Sequence, residues 1–540
     1  MPPCEQATEK PLADVNFDIS SASSTSSETS DETPPQVYEQ VSEPELLEKY
    51  ERPYPWNLVP DEIQMAIGAL SVLFIAAPTL ALIFFTTSSG WFLFNFFYFH
   101  NPVGKKILDK VHGVIVAMSK FAAHYVLLDT RDHVYLPWIT WGLLASPTLF
   151  YWAYQRYSTY GFEASTFLLY HVMRLGPRYR FFAHHEVLTH REGHAMRTGM
   201  YRNIFNQKER VPISKKWRRR FTDHVNGLFV GVFNGSIPHH YATAHLKIHH
   251  RWHNDTGDVH TNMDVDRTEF KNYVLYLPRF LLYWVGISPM VLFNHRKEYR
   301  LLRELGTGML VYYSIAATIW YKTSLLFLFA FWFYPMLEAA CFLGAIAYLW
   351  HAFVDENDPG NQYVNSITIL RGLDNIWNED YHVVHHHFPN VHWTEAPQHF
   401  ALEKPKYVKC RATIFADCEQ GQMCYWMFSQ RWDDMTNHFV DLHYIYSNGE
   451  KNEDKLLTVK EAADYEMKLL EATPADGTNE LVSREQIEMR ANEHHAEVKA
   501  MLLKRMKFHY RNSAQRDMKS FDAAVNANIR EFNKVPGKND

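Results

Sequence analysis

Several features that mark common protein classes are missing from this sequence. It holds only five cysteines in 540 residues, too few for a disulfide framework. Three of them, Cys410, Cys418 and Cys424, lie close together but lack the spacing of zinc ligands. The net charge is -6 and no basic arm is interleaved with aromatic residues, so we expect no nucleic-acid partner. The sequence also lacks the HPGG motif of haem-binding b-type cytochrome domains and any GxGxxG nucleotide-binding loop.

The two ends of the chain are polar and the middle is apolar. The first residues are rich in Ser, Thr and acidic side chains, without the basic and apolar segments of a cleaved signal peptide. We therefore expect residues 1–55 to be a disordered cytosolic tail. Residues 56–400 hold the long apolar stretches and form the predicted membrane domain. Residues 401–540 are predicted to be a cytosolic, largely helical extension that faces solvent or a partner, since their last part is charged with helical periodicity.

Long apolar stretches predict membrane-spanning helices. Residues 63–87 and 134–154 are each long enough to cross a bilayer, and residues 305–353 can form a two-span hairpin with its turn near Lys322 or near Pro335. The predicted fold is therefore mainly α, a multi-pass membrane domain of about four spans plus interfacial helices. A histidine-rich cap on the cytosolic side completes it.

A further apolar stretch, residues 273–293, is predicted to lie along the interface or to re-enter the membrane. It contains Arg279 and two prolines, and a charge inside a span is costly in lipid. Basic residues precede it at 215–220 and follow it at 296–303, which favours the cytosol for both of its ends. This assignment leaves both chain termini in the cytosol.

The 30 histidines carry the functional argument because many of them are clustered. Residues three or four apart share one face of a helix, so each cluster can direct several imidazoles at one point. Imidazole is a good ligand for iron, copper and zinc, and eight or nine histidines are too many for one ion and about right for two. The clusters contain His184, His185, His190 and His194; His245, His249, His250 and His253; and His382, His385, His386, His387 and His392.

Three segments in this order resemble the histidine boxes of the membrane fatty-acid desaturase and hydroxylase superfamily. They are HREGH (190–194), HLKIHH (245–250) and HVVHH (382–386), the last within YHVVHHHFPN, and an acidic run, NDTGDVHTNMDVD, follows the second. The resemblance covers roughly residues 130 to 400 and implies a cytosolic di-iron centre that activates O2. Its implied ligands are His190, His194, His245, His249, His250, His382, His385 and His386, and His351 stands where a ninth ligand is often found.

Some positions around the boxes stay open. His185 competes with His194 as the partner of His190 in the first box. His253 and Asp380 are expected to support the ligands rather than bind metal, since metal-bound histidines commonly donate their other ring N–H to a neighbouring polar group.

The predicted function is desaturation of a fatty-acyl or other long-chain lipid group, with two iron ions as cofactor and O2 as co-substrate. Hydroxylation, or another oxidation of a sterol, sphingolipid or carotenoid, is the alternative, since the same boxes serve both. A zinc-dependent membrane hydrolase is a further alternative, but its site would use only about three histidines and would leave the others unexplained. Without a fused haem or flavin domain, the enzyme is expected to take electrons from a separate donor, such as a b-type cytochrome with its reductase. The endoplasmic reticulum is the expected membrane.

Overall fold

Helices make up most of the structure. The computed structural model describes residues 55–195, 200–201, 225–255, 257–447, 456–472 and 484–509. The predicted tail, apart from its last residue, and the basic segment 215–220 lie outside these ranges. The α-helices are Asp61–Ser71, Ala77–Phe94, Pro102–Val126, Leu136–Tyr160, Ala164–Leu175, Arg180–His194, Val232–Asn234, His250–Trp252, Phe270–Trp284, Ile287–His295, Tyr299–Lys322, Leu325–Leu328, Tyr334–Trp350, Gln362–Asn365, His382–His387, Ala396–Lys409, Gln420–Phe428, Trp432–Asn437, Leu442–Ser447, Val459–Ala472 and Arg484–Lys507.

Short π- and 3-10 helices join or extend several of these α-helices. The π-helices are Val72–Ala76, Asn95–Phe99, Gly227–Gly231, Tyr241–His249 and Phe329–Phe333, and the 3-10 helices are Trp56–Leu58, Thr130–Tyr135, Pro177–Tyr179 and Trp393–Glu395. The strands Thr368–Leu370 and Ile414–Ala416 pair in parallel, with Thr368 opposite Ile414.

Two of the described helices are long and apolar enough to cross a membrane, Asp61–Gly90 and Leu325–Trp350. A third candidate is the pair Phe270–Trp284 and Ile287–His295, which is bent by 74° at the break between them. Side chains such as Phe74 and Phe84 on the first of these helices are exposed, as expected of a surface that meets lipid. The chain is therefore mainly helical, with two or three candidate spans, and the predicted number of about four stays a prediction.

The predicted hairpin has its turn at Thr323 and Ser324, next to the first of the two expected positions. The helix Tyr299–Lys322 ends there, and the hydroxyl of Ser324 accepts a hydrogen bond from the backbone N–H of Phe327 at 3.1 Å, which caps the next helix. Pro335, the other expected position, is not the turn, since it lies inside the continuous helix Leu325–Trp350. A proline has no N–H for the preceding turn, and the carbonyls of Ala330 and Phe331 there face the side chains of His171 at 3.0 Å and Tyr170 at 3.4 Å.

The helix Pro102–Val126 has no counterpart in the sequence analysis. Asn101 caps it by accepting a hydrogen bond from the N–H of Gly104 at 2.9 Å, and Pro102 opens it. It escaped notice because lysines interrupt its apolar residues, so it is amphipathic rather than continuously apolar. Its exposed apolar positions recur every three or four residues: Val103, Ile107, Val111, Val114, Met118, Phe121 and Tyr125.

The third histidine box is supported by residues on both sides of position 400. Val383 and Val384, within the box, are buried in one hydrophobic cluster with Phe400, Tyr407 and Ile414. The paired strands bring residues 414–416 beside residues 368–370, just upstream of the box. Residues 401–416 therefore pack directly beneath the box, while the domain boundary at residue 400 stays a prediction.

Candidate metal centre

The first box lies at the end of the helix Arg180–His194. His190 and His194 are four residues apart on this helix, so their rings lie on one face, and their Nε2 atoms are 3.0 Å apart. Gly193 lets the neighbouring chain come close, because a Cβ atom there would lie 2.5 Å from the Cβ of Tyr241. The first box is therefore held directly against the helix that carries the second.

The second box lies on a π-helix, Tyr241–His249, which continues as a short α-helix. In a π-helix the backbone bonds join residues five apart, and the N–H of His250 donates to the carbonyl of His245. The rings of His245 and His250 accordingly meet, with 3.0 Å between their Nε2 atoms. His249 points elsewhere, so one box supplies ligand atoms to two different places.

The third box divides in the same way on the short helix His382–His387. The Nε2 atom of His385 lies 3.0 Å from that of His250, whereas the Nε2 atom of His382 lies 3.3 Å from that of His351. His386 is four residues from His382 and shares its face, with 4.4 Å between the two ring centroids.

His351 follows the last residue of the apolar helix Leu325–Trp350. Its Nε2 atom lies 3.2 Å from the Nε2 of His249, and its Nδ1 faces the backbone carbonyl of Asn365 at 2.9 Å. That second contact fixes the orientation of the ring. A histidine at the end of a candidate span is thus brought to the same place as residues of the second and third boxes.

Nine imidazoles therefore form two adjoining groups, in each of which the ligand atoms lie within 4.8 Å of one another. His250 and His386, one from each group, stack with ring centroids 4.4 Å apart. The five-histidine group consists of His190, His194, His245, His250 and His385. The four-histidine group consists of His249, His351, His382 and His386.

The spacing of the nitrogen atoms fits a metal ion in each group. Two imidazoles bound at right angles to one ion, with bonds of about 2.1 Å, have their nitrogens about 3.0 Å apart. Neighbouring Nε2 atoms are separated by 2.8 to 3.0 Å in the five-histidine group and by 3.2 to 3.3 Å in the four-histidine group. An all-nitrogen donor set of this kind suits iron, copper or zinc rather than magnesium or calcium.

Burial keeps seven of the nine imidazoles in the neutral form that binds metal. Burial, followed by repulsion between neighbouring rings and other cations, lowers the pKa of seven of the nine well below the usual histidine value. These seven are His194, His245, His250, His351, His382, His385 and His386. No proton must then be displaced from them before a metal binds.

Two buried carboxylates orient the rings from behind. Asp258 Oδ2 faces Nδ1 of His249 at 2.7 Å, and Glu379 Oε2 faces Nδ1 of His190 at 3.4 Å. Glu379 is itself held by Arg191 at 2.7 Å. Such carboxylate–histidine pairs fix the ring and its tautomer so that Nε2 is left for the metal.

Sequence reasoning identified neither of these carboxylates, although it came close to both. Asp258 lies in the acidic run after the second box, which was noted as a whole. Asp380 was named as a supporting residue, but its carboxylate faces Nε2 of Gln420 at 2.6 Å, and it is the adjacent Glu379 that faces a histidine. Burial raises the pKa of Asp380 to about 7. Only the three-dimensional arrangement separates these neighbours.

The two remaining predicted histidines occupy different positions. His185 lies apart from both groups, with Nε2 3.3 Å from the carbonyl of Trp138 and Nδ1 3.5 Å from the amide nitrogen of Asn234. His253 Nδ1 lies 3.1 Å from Nδ1 of His386, a member of the four-histidine group, and its supporting role stays a prediction.

His260 was not singled out from the sequence, and it forms a third cluster with His249 and Asp258. The Nε2 atom of His260 lies 3.5 Å from Asp258 Oδ1, and its ring lies beside that of His249, with 4.8 Å between the ring centroids. Since Nε2 of His249 already faces His351, this cluster acts as a support for His249 rather than as a separate metal site. The signal in the sequence was the DVH triplet within the acidic run.

Comparison with known proteins bears on the same part of the chain. The family model described as fatty acid desaturase matches residues 211–416, which contain the second and third boxes and His351 but begin after the first box. No curated protein and no solved structure gives a significant match. The match supports an oxidoreductase of the desaturase or hydroxylase type, and the apolar helices agree with a membrane protein. Residues 211–416 therefore match the fatty acid desaturase family model, which confirms the resemblance to the membrane desaturase and hydroxylase superfamily over this part of the chain.

Proposed function

We propose that the protein is a membrane-bound, O2-dependent di-iron oxidoreductase that desaturates a fatty-acyl or other long-chain lipid group. The observation that carries the proposal is the pair of adjoining all-histidine groups, whose nitrogen spacing suits one metal ion each. The five-histidine group would hold one iron and the four-histidine group the other. Bound iron would supply the activation of O2 that attack on an unactivated C–H bond requires.

The protein's own residues contribute position and orientation. Asp258 and Glu379 hold the rings of His249 and His190 from behind, so that each Nε2 stays directed at its group. The stacking of His250 on His386 keeps the two groups side by side, within reach of one substrate carbon chain.

The place of the four-histidine group supports a lipid substrate. His351 directly follows the candidate span Leu325–Trp350, so the metal centre adjoins the end of an apolar helix. An acyl chain that leaves the bilayer at this point would have a short path to the centre. We place the centre and both chain termini on the cytosolic side of the endoplasmic reticulum membrane.

The electrons are proposed to come from a separate donor, a b-type cytochrome with its reductase. Desaturation removes two hydrogen atoms from the lipid, and reduction of O2 to two water molecules needs two further electrons and two protons. Purified protein given only O2 and lipid should therefore not turn over repeatedly. Sustained turnover without an added donor would contradict this part of the proposal.

Metal content gives the first test. The purified protein should carry about two irons per chain, because nine imidazoles exceed the shell of one ion. Replacing His385 with Ala should lower the iron content and abolish turnover, while His133→Ala, a histidine outside both groups, should change neither. One zinc per chain without iron would favour the hydrolase alternative and reject the proposal.

Product analysis gives the second test. Lipids from cells that express the protein should gain double bonds that are absent from cells with the His385→Ala variant. Mass spectrometry separates the loss of two hydrogens from the gain of one oxygen. A hydroxylated lipid as the main product would show that the reaction is hydroxylation and not desaturation.

A further inference from the structure

The C-terminal helix Arg484–Lys507 lies against the rest of the protein along one face. Its buried side chains recur at helical spacing, and Val498, Leu502 and Met506 belong to the main hydrophobic core. Polar contacts flank this face: His494 Nε2 lies 3.2 Å from Asp441 Oδ2. A helix predicted to face solvent or a partner is instead docked within the chain.

The end of this helix is capped by Arg267, a fully buried residue that follows the second box. The last four carbonyls of a helix have no partner within it. Here the carbonyl of Arg505 accepts from Nη2 of Arg267 at 2.9 Å and from the N–H of Val354 at 3.2 Å, while the carbonyl of Met506 accepts from the N–H of Arg267 at 3.0 Å. A cation at the C-terminal end of a helix is also favoured by the helix dipole.

The same guanidinium group binds two segments that carry the four-histidine group. Its Nε donates to the carbonyl of Ala352, next to His351, at 3.1 Å. Its Nη1 donates to the carbonyls of Val265 at 2.7 Å and Asn262 at 3.4 Å, in the loop that contains Asp258. Arg267 thus joins the C-terminal helix, the residue after one ligand and the loop that orients another.

A second contact ties these two segments to each other. The amide nitrogen of Asn262 donates to the carbonyl of Tyr348 at 2.9 Å, so the loop is also bonded to the last turn of the helix before His351. The five-histidine group draws its support from elsewhere, through Glu379 and Arg191 on His190. The two groups therefore differ in their dependence on the C-terminal helix.

We infer that the C-terminal helix, acting through Arg267, is a positioning element that holds the four-histidine group in its metal-binding arrangement. This inference rests on the proposed function, since it requires that both groups bind metal. Arg267 touches no ligand ring in the contacts described and acts through the backbone at Ala352 and through the loop of Asp258.

Two kinds of variant test the inference. A chain that ends after Ser483 lacks the helix, and its matched control ends after His509, so that the helix is kept and only the residues beyond it are removed. In the full chain, Arg267→Lys keeps the charge but loses the planar group that serves several carbonyls at once. Arg303→Lys, at an exposed position on another helix, is its control.

Iron per chain is measured after dialysis against a graded series of chelator concentrations. The parent protein and both controls should release two irons at similar chelator levels, whereas the chain ending at Ser483 should keep about one, in the group whose support is intact. Arg267→Lys should release the iron of the four-histidine group at a chelator concentration about ten-fold lower than the parent protein does. Hydrogen exchange of the metal-free proteins should rise at residues 348–354 and 258–268 in both variants and stay unchanged at residues 180–194.

The outcomes separate the two proposals. A parent protein that never binds two metal ions would reject the proposed function itself. A parent with two irons, whose variants keep both or lose both together, would overturn the inference. If the shortened chain does not accumulate, Arg267→Lys decides alone, and unchanged exchange at residues 348–354 in that variant would overturn the inference as well.

Discussion

Asp258 offers the sharpest test of whether a buried carboxylate controls metal binding in the four-histidine group. Its carboxylate is fully buried, 2.7 Å from Nδ1 of His249 and 3.5 Å from Nε2 of His260. Burial alone would raise its pKa, but the two histidines hold that pKa below its usual value, so the carboxylate stays ionised. Asp258→Asn preserves the size of the side chain and removes this charge.

Asp258→Asn should weaken metal binding in the four-histidine group and leave metal binding in the five-histidine group unchanged. Loss of a carboxylate that orients a metal-bound histidine typically lowers metal affinity about 10- to 100-fold, or roughly 1.4 to 2.7 kcal/mol. Chelator competition, with metal per chain as the readout, should show one of the two ions leaving earlier and the other at the level of the parent.

Asp380→Asn is the matched control, because Asp380 is equally buried and close to the third box but faces Gln420. It should shift neither ion. If the chelator concentration that removes an ion changed equally in the two variants, the role of Asp258 in supporting His249 would be refuted. The same holds if Asp258→Asn lost both ions at one lower concentration. The unfolding temperature of the metal-free proteins shows whether the variant fold is intact.

Asp441→Asn should lower the free energy of unfolding by roughly 2 kcal/mol at pH 7. Burial alone would raise the pKa of Asp441, but hydrogen bonds from His494 and Arg411 lower it to about 2. Because the pKa is lower in the folded chain, this contribution is complete above about pH 5 and falls to about half at pH 3, and an equal difference at both pH values would contradict it. Gly235→Ala should destabilise the protein by about 2 to 6 kcal/mol, because φ is +90° and the new Cβ would lie 2.3 Å from the backbone of a neighbouring helix. Gly113→Ala, with open space around the new Cβ, should not destabilise it, and thermal unfolding in detergent compares the two variants. Single cysteines at Asn294 and Ser214 should react with an impermeant reagent from the same side of the membrane, and labelling from opposite sides would show that the bent helix pair crosses.

The sequence predicted that a histidine-rich site exists, but it did not predict how the histidines divide into two groups. Order and spacing indicated the histidine clusters, because residues three or four apart on one helix share a face. The resemblance to the superfamily implied the eight box histidines and His351, and these nine residues make up the two groups. The sequence could not assign each histidine to a group, since that depends on the π-helical backbone around His245 and on the opposite directions of His249 and His250. No feature of the local sequence indicated this π-helical backbone.

Residues that act over long distances in the chain were beyond sequence reasoning. Arg267 meets the helix that ends at Lys507, and no pattern near either residue indicates the contact. The amphipathic helix Pro102–Val126 was missed for a different reason, since a search for continuous apolar runs passes over a helix with lysines in it. The apolar helix Asp61–Gly90, whose signal is local, lies within three residues of the predicted span 63–87 at each end, and the candidate span Leu325–Trp350 lies inside the predicted hairpin 305–353.

The contacts at the ends of the bent helix pair, Phe270–Trp284 and Ile287–His295, bear on how the chain brings three boxes together. In the first turn of the pair, the side chain of Asn272 donates to the carbonyl of Asp266 at 2.8 Å, and just after the pair Arg296 donates to the carbonyl of Gly257 at 3.1 Å. Both carbonyls belong to the loop that follows the second box, so both ends of the pair meet the same loop. This arrangement favours the predicted re-entrant or interfacial placement of residues 273–293, which stays a prediction. The helices Tyr299–Lys322 and Leu325–Trp350 follow, and the second ends next to His351, so a histidine of the second box and one at the end of the last apolar helix lie together, with 3.2 Å between the Nε2 atoms of His249 and His351.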